Sequence, residues 1–161
     1  MPELGIICAK RSDTEALGRK LAAAVKDRNP GALLLEGDLG AGKTALASAL
    51  VRSLPGGQNA ETSSPSFTIC NIYYTAPRVR HFDLYRLPPG LPNDELAEAL
   101  DDAGSLTIVE WPQHMAALDA PKDGVLCRIR SGQNSDENTR LFSFTALGRT
   151  GEHFLDLLRT P

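Results

Sequence analysis

Eight consecutive residues, Gly37-Asp38-Leu39-Gly40-Ala41-Gly42-Lys43-Thr44, satisfy the pattern G-x-x-x-x-G-K-[ST] in full. The chemistry of that pattern is anion binding. Glycines let main-chain N–H groups turn inward around a phosphate, since glycine alone enters left-handed backbone conformations without a steric penalty. The N-terminus of a following helix adds positive potential, and the Lys43 ammonium can span the β- and γ-phosphates of a nucleoside triphosphate. Thr44 offers a hydroxyl where an octahedral Mg²⁺ needs an oxygen ligand. Asp38, Leu39, Gly40, Ala41, Gly42, Lys43, Thr44 and the next residue, Ala45, are therefore the expected contacts to ATP, with Thr44 serving magnesium. The bland alternative is a glycine-rich turn with an incidental lysine. An apolar run before the motif and a strong helix former after it argue against that.

Hydrolases built on such a loop add an acid at the C-terminal end of a neighbouring strand, where it reaches the cation directly or through water. Two residues fit that description. Glu110 closes the apolar run Leu106-Thr107-Ile108-Val109, and Asp83 lies within Arg80-His81-Phe82-Asp83-Leu84-Tyr85-Arg86. Both carboxylates are expected to face the phosphates, and with Lys43 they form the candidate catalytic set. An ordinary surface acid is the competing reading for each. Trp111, directly after Glu110, is either a core or rim aromatic or a ring at the nucleotide site that reports closure. Arg86 is either an internal finger on γ-phosphate charge or half of a salt bridge beside Asp83. His81 and His114 have no second histidine at metal-ligand spacing, so core or surface roles are expected of them. Arg78, Arg80, Arg86, Arg128 and Arg130 fall on expected strands or their ends, where solvated strand faces are the default and a basic patch is the alternative.

The elements that must position these groups read as alternating strands and helices. Gly5 to Ala9 is a short strand, and Ser12 with Glu15 offers the start of a helix carrying Leu17, Leu21, Ala24 and Val25 at helical spacing. Asn29-Pro30-Gly31 ends it. Ala32 to Glu36 is a continuous apolar run of the sort buried on both faces, and it feeds the glycine-rich loop. Thr44 to Leu54 forms a helix closed by Pro55-Gly56-Gly57. Phe67 to Tyr74 and Val79 to Tyr85 read as adjacent strands, Asn93 caps a helix from Asp94 to Asp102, and Leu106 to Val109 is a buried strand. Val125 to Arg130 and Leu141 to Thr145 are late strands, and Gly151 to Leu158 is a terminal helix. The fold class is α/β, P-loop NTPase-like, with a mainly parallel central sheet, helices on both faces and antiparallel additions.

At 161 residues the chain is expected to form a single domain spanning 1–161. No apolar run approaches the roughly 20 residues that span a bilayer, so no membrane role is expected. The N-terminal Met1-Pro2-Glu3-Leu4 does not open a secretory signal, and a cytoplasmic location is the expectation. Cys8, Cys70 and Cys127 lie far apart in apolar stretches, as buried free thiols do. A net charge of -3 opposes the basic footprint of a protein that grips nucleic acid alone, so a partner would have to hold most of any RNA.

Taken in order, the glycine-rich loop, Ser64-Pro65-Ser66-Phe67, His81-Phe82-Asp83-Leu84-Tyr85-Arg86-Leu87 and Glu110-Trp111-Pro112-Gln113 resemble the TsaE (YjeE) family. The series spans Leu34 to Gln113, about half the chain. The first segment alone is a general P-loop; the last two are distinctive. This resemblance implies a P-loop ATPase needed for threonylcarbamoyladenosine modification of tRNA. It implies that Ser64 to Phe67 acts as a switch loop near the γ-phosphate, that Ser66 serves nucleotide binding, and that Asp83 and Glu110 serve magnesium. It further implies TsaD and TsaB as partners, with tRNA reached indirectly through the complex. ATP hydrolysis would reset that assembly, and the transfer chemistry would belong to TsaD. Two departures stand out. Ser66 replaces a common threonine, and Asp94-Glu95-Leu96-Ala97-Glu98-Ala99-Leu100-Asp101-Asp102 replaces a usual Leu-Gly and aromatic pattern.

Two other functions share the loop. A small-molecule kinase would need an arginine-bearing lid, which the later segments do not offer clearly. A GTP switch would need an Asn-Lys-x-Asp or Thr-Lys-x-Asp segment, and the chain contains neither.

Overall fold

The computed structural model describes residues 2–63, 69–132 and 137–161. Its elements in chain order are β1 (Glu3–Cys8), α1 (Arg11–Asp27), β2 (Ala32–Glu36), α2 (Lys43–Ser53), β3 (Cys70–Tyr73), β4 (Arg78–Asp83), α3 (Asp94–Asp101), β5 (Ser105–Glu110), β6 (Gly124–Ser131), β7 (Arg140–Leu147) and α4 (Gly148–Arg159). Two short 3₁₀ turns, Pro112–His114 and Ala117–Asp119, follow β5.

Among the described residues the strands make one sheet in the order β1-β7-β6-β2-β5-β4-β3. The inner four, β6-β2-β5-β4, run parallel, and β7, β1 and β3 add on antiparallel. That is the expected α/β plan of a parallel centre with antiparallel additions. Parallel strands are covered on both faces, which explains why β2 and β5 are apolar almost throughout. Side chains alternate across the sheet, so Leu33 and Leu35 point to one face and Leu34 to the other. The first face carries the larger core, packed under α1, α2 and α4, with Leu21, Leu46, Leu50, Phe142, Phe144 and Phe154 fully buried. The second carries a smaller core of Leu34, Phe82, Leu84, Leu96, Ala99 and Val109 beneath α3.

Local chemistry sets the helix ends, and two helices start ahead of expectation: α4 at Gly148 where Gly151 was expected, and α1. Helix α1 starts at Arg11, ahead of the expected Ser12 cap. The cause is Asp13, whose carboxylate accepts from the N–H groups of Ala9 and Lys10 at 2.9 and 3.2 Å and so satisfies orphan donors before Ser12 is reached. Asn93 caps α3 as expected, its Oδ1 accepting from Leu96 N–H at 2.9 Å. The segment 64–68, which holds Ser66 and the start of the expected strand from Phe67, lies outside the described residues; β3 is described from Cys70. No helix of the described residues is long and apolar enough to cross a membrane. Cys8 and Cys127 are buried and Cys70 half-buried, all as free thiols. Burial pushes all three thiols upward, Cys70 to about 11, so at neutral pH they stay protonated and poorly nucleophilic.

Helices α1 and α2 pack closely because α1 carries glycine at the contact. A Cβ at Gly18 would lie 2.4 Å from the Cβ of Ala49 and 2.8 Å from its carbonyl carbon. Since α2 begins at the glycine-rich loop, this contact fixes where the loop's helix stands. Gly18→Ala should destabilise the fold by about 1–3 kcal/mol through overpacking. That outweighs the gain of about 1 kcal/mol in helix propensity. Urea denaturation reads the difference, and a midpoint equal to or above the parent's would refute the close-packing assignment.

Candidate functional site

The C-terminal ends of parallel strands are where such sheets open a crevice, and β2, β4 and β5 end side by side. After Glu36 the chain turns through the glycine-rich loop into α2. The turn needs glycine at two places, with φ of 77° at Gly40 and 114° at Gly42, and Gly42 occupies the cap position of α2. Ala41 N–H closes the turn onto Asp38 O at 3.0 Å. Leu39, at the tip, is 66 % exposed. Ala45 sits in the first turn of α2, directly after Thr44.

Lys43, expected to hold phosphate, is only 5 % exposed. Its Nζ donates to the carbonyls of Gly37 and Asp38 at 2.6 and 2.8 Å and lies 4.6 Å from the centroid of the Trp111 ring. Burial pulls its pKa below the usual lysine value, while the charges of Glu110, Asp83 and Asp38 oppose that fall. The ammonium is thus held inside the loop by two acceptors and an aromatic face.

The structure also brings both expected acids to this point. The β4–β5 register sets Asp83 opposite Glu110, and the β2–β5 register sets Leu35 opposite Glu110. Thr44 Oγ1 donates to Glu110 Oε1 at 2.9 Å, and His81 Nε2 donates to Glu110 Oε2 at 2.8 Å. Glu110 is only 2 % exposed, so both contacts are made away from bulk water. Asp83 is half-buried, and its Oδ1 accepts from Tyr85 N–H at 3.0 Å. Of the two acids, Glu110 is the one bonded to Thr44.

Trp111 has a φ of 60°, the one positive value outside glycine among the described residues. Left-handed backbone at a bulky residue costs on the order of 1–3 kcal/mol. What it achieves is a sharp exit from β5: the carboxylate of Glu110 stays under α2 while the next side chain swings below Lys43. The indole packs on Tyr85 with centroids 4.8 Å apart and on His114 at 5.7 Å. His114 in turn donates from Nδ1 to Leu84 O at 2.8 Å, a packing role as expected.

Two contributors lay outside the expected set. Arg140, on β7, donates from Nε to Ala41 O at 3.0 Å and also reaches the carbonyls of Thr139 and Glu137, tying the glycine-rich loop to β7. No local pattern signals it, because 99 residues separate it from Ala41. His81 was expected to be a core or surface residue; alternation along β4 puts it on the same face as Asp83, a relation available from the strand period alone. Of the strand arginines, Arg80 pairs with Asp102 at 3.3 Å, Arg128 with Glu36 at 3.2 Å, and Arg78 lies over the Tyr74 ring, while Arg128 and Arg130 line one pocket beside Asp38. Arg86 lies in the turn beyond β4.

A family model described as "Threonylcarbamoyl adenosine biosynthesis protein TsaE" matches residues 8–141. The chain belongs to the TsaE family. A curated relative from Rickettsia felis, named tRNA threonylcarbamoyladenosine biosynthesis protein TsaE, is 33% identical over 141 residues, covering 86% of this chain and 77% of that protein. A relative of the same name from Streptomyces coelicolor is 33% identical over 139 residues, covering 82% and 89% of the two chains. Among solved structures, the crystal structure of Bacillus subtilis YdiB superposes with a TM-score of 0.74 at 28% identity, over 98% of this chain and 94% of that one. The TsaE fold of this chain is thus a P-loop one. Its Lys43, Thr44, Asp83, Glu110 and Trp111 meet at one end of the sheet, while Ser66 lies outside the described residues.

Because the Glu110 charge opposes the fall in the Lys43 pKa, Glu110→Gln should lower that pKa further. NMR titration of the lysine ε-carbon tests this, and an unchanged or raised value would contradict the electrostatic link between the two side chains.

Proposed function

We propose that this chain binds ATP with Mg²⁺ at the Gly37–Thr44 loop, hydrolyses it slowly, and drives the assembly that installs threonylcarbamoyladenosine in tRNA, alongside TsaB and TsaD. The observation that carries this reading is the meeting of Lys43, Thr44 and Glu110 at the mouth of one crevice. The names borne by the relatives support the tRNA-modification role over the small-molecule kinase reading.

The donor chemistry suits the cation. Thr44, Glu110 and Asp83 offer hard oxygen atoms, and the Thr44 hydroxyl donates its hydrogen to Glu110, leaving oxygen lone pairs for a metal. Glu110, Asp83 and Asp38 all act electrostatically on Lys43, so three carboxylates face a single ammonium. A divalent cation offsets that excess, and the anionic triphosphate is met by Lys43 and the N–H groups of the loop. Bound Mg²⁺ would supply positive charge against the phosphates as the terminal bond breaks. The chain's own residues do the rest. Lys43 exchanges the Gly37 and Asp38 carbonyls for phosphate oxygens, and the N–H groups of the loop and of Ala45 point at the phosphates. Trp111 keeps one side of the ammonium dry, and Asp83 and Glu110 organise the cation and the attacking water.

Lys43→Ala should abolish binding of ATP with Mg²⁺, whereas Asp83→Asn and Glu110→Gln should keep binding but slow turnover roughly 10²-fold or more. Fluorescence of the single tryptophan and phosphate release read the two effects separately. If both acid variants hydrolyse ATP at the parental rate, the site assignment fails. In the cellular context, retention of TsaB and TsaD by the tagged protein should depend on added ATP, and association with neither under any nucleotide condition would remove the proposed role.

Proton linkage gives an independent check. Burial lowers the Lys43 pKa in the free protein, and triphosphate would raise it, so binding draws in protons. Affinity should then fall as pH rises through the lowered pKa. Calorimetry in two buffers of different ionisation enthalpy should show net proton uptake at alkaline pH; zero uptake would mean that Lys43 is not the phosphate's partner.

A further inference from the structure

We infer that His81 is a positioning residue for the cation site, acting by fixing the plane and direction of the Glu110 carboxylate. The inference rests on the nucleotide-binding reading and adds to it a residue that touches neither nucleotide nor metal. The role follows from how the carboxylate is held. A glutamate side chain has three rotatable bonds, and strand geometry alone does not aim its oxygens. Glu110 is held from both ends: Thr44 Oγ1 on Oε1 at 2.9 Å, His81 Nε2 on Oε2 at 2.8 Å. The Thr44 end moves with α2 and with whatever the loop binds. The His81 end belongs to the sheet.

Register explains why histidine can do this from where it sits. His81 on β4 is paired with Ile108 on β5, two residues before Glu110 on the same face, so its ring reaches diagonally across the strand pair. Both side chains are nearly excluded from water, at 3% and 2% exposure. A buried carboxylate that loses a hydrogen-bond partner suffers a large desolvation penalty and relaxes by turning toward another donor. Thr44 already donates to Glu110 on the crevice side and the Lys43 charge acts on it there, so turning further toward them would take from the cation the oxygens it needs. His81 thereby keeps Glu110 from collapsing onto the phosphate loop. Partners of this kind behind ligating carboxylates and imidazoles generally govern metal affinity through orientation.

The test separates the hydrogen bond from mere packing. Gln places an amide nitrogen near the position of Nε2, Asn places one nearer that of Nδ1, and Leu fills space without donating. ATP binding is followed by Trp111 fluorescence across a magnesium titration, and again in excess chelator as a measure of metal-independent binding. His81→Leu and His81→Asn should shift the half-saturating Mg²⁺ concentration upward by about 10–100-fold, with nucleotide affinity in chelator close to parental. His81→Gln should restore the parental magnesium response. If His81→Leu does not fold, the contrast between the Gln and Asn variants decides the matter. Equal magnesium half-saturation in the parent and every folded variant would overturn the positioning role while leaving nucleotide binding intact. A parent protein that shows no response to ATP and Mg²⁺ would overturn both.

Discussion

Burying the carboxylate of Glu110 costs several kcal/mol unless it is fully hydrogen-bonded, and the need to meet that cost organises this end of the molecule. One oxygen is satisfied from α2 through Thr44, the other from β4 through His81. Three elements distant in sequence must therefore stand at fixed distances before the charge can be tolerated. The parallel pairing of β4, β5 and β2 provides that, since it brings Asp83, Glu110 and Leu35 to one level of the sheet.

Much else in the fold serves this alignment. Close approach of α1 to α2 at Gly18 and Ala49 sets the helix that carries Lys43 and Thr44. Arg140 ties the loop's Ala41 carbonyl to β7, a second brace on the glycine-rich turn besides α2. Trp111 accepts a left-handed backbone, and the strain is offset by stacking on Tyr85 and contact with the Lys43 ammonium. The result is a loop whose lysine is already desolvated and held by exchangeable carbonyl acceptors. Such an arrangement favours an incoming anion, since phosphate oxygens replace weaker neutral acceptors with charged ones.

Membership in the TsaE family and the local physics point the same way without depending on each other. The loop's conformation requires glycine at positions 40 and 42 whatever the protein is called. The pairing of Thr44 with Glu110 joins a loop hydroxyl to a strand-end acid by a hydrogen bond that strand register dictates. The departure in α3, where acidic residues replace an aromatic pattern, leaves this geometry untouched, because α3 covers the opposite face of the sheet.

The sequence by itself determined the loop, the strand before it and the helix after it. Those signals are local: glycine spacing, a continuous apolar run and helical propensity all act within a few residues. It also singled out Asp83 and Glu110, because strand-end acids can be counted from an apolar run. It left open which of them touches the metal, and the bond of Glu110 to Thr44 depends on strand register across β4, β5 and β2. The bracing by Arg140 and the anchoring by His81 were decided only by tertiary structure. Their partners lie 99 and 29 residues away, and a hydrogen bond across such a separation has no periodicity to betray it. Ser12 shows the same limit at short range: the capping pattern was present, but Asp13 satisfied the orphan donors first and moved the start of α1.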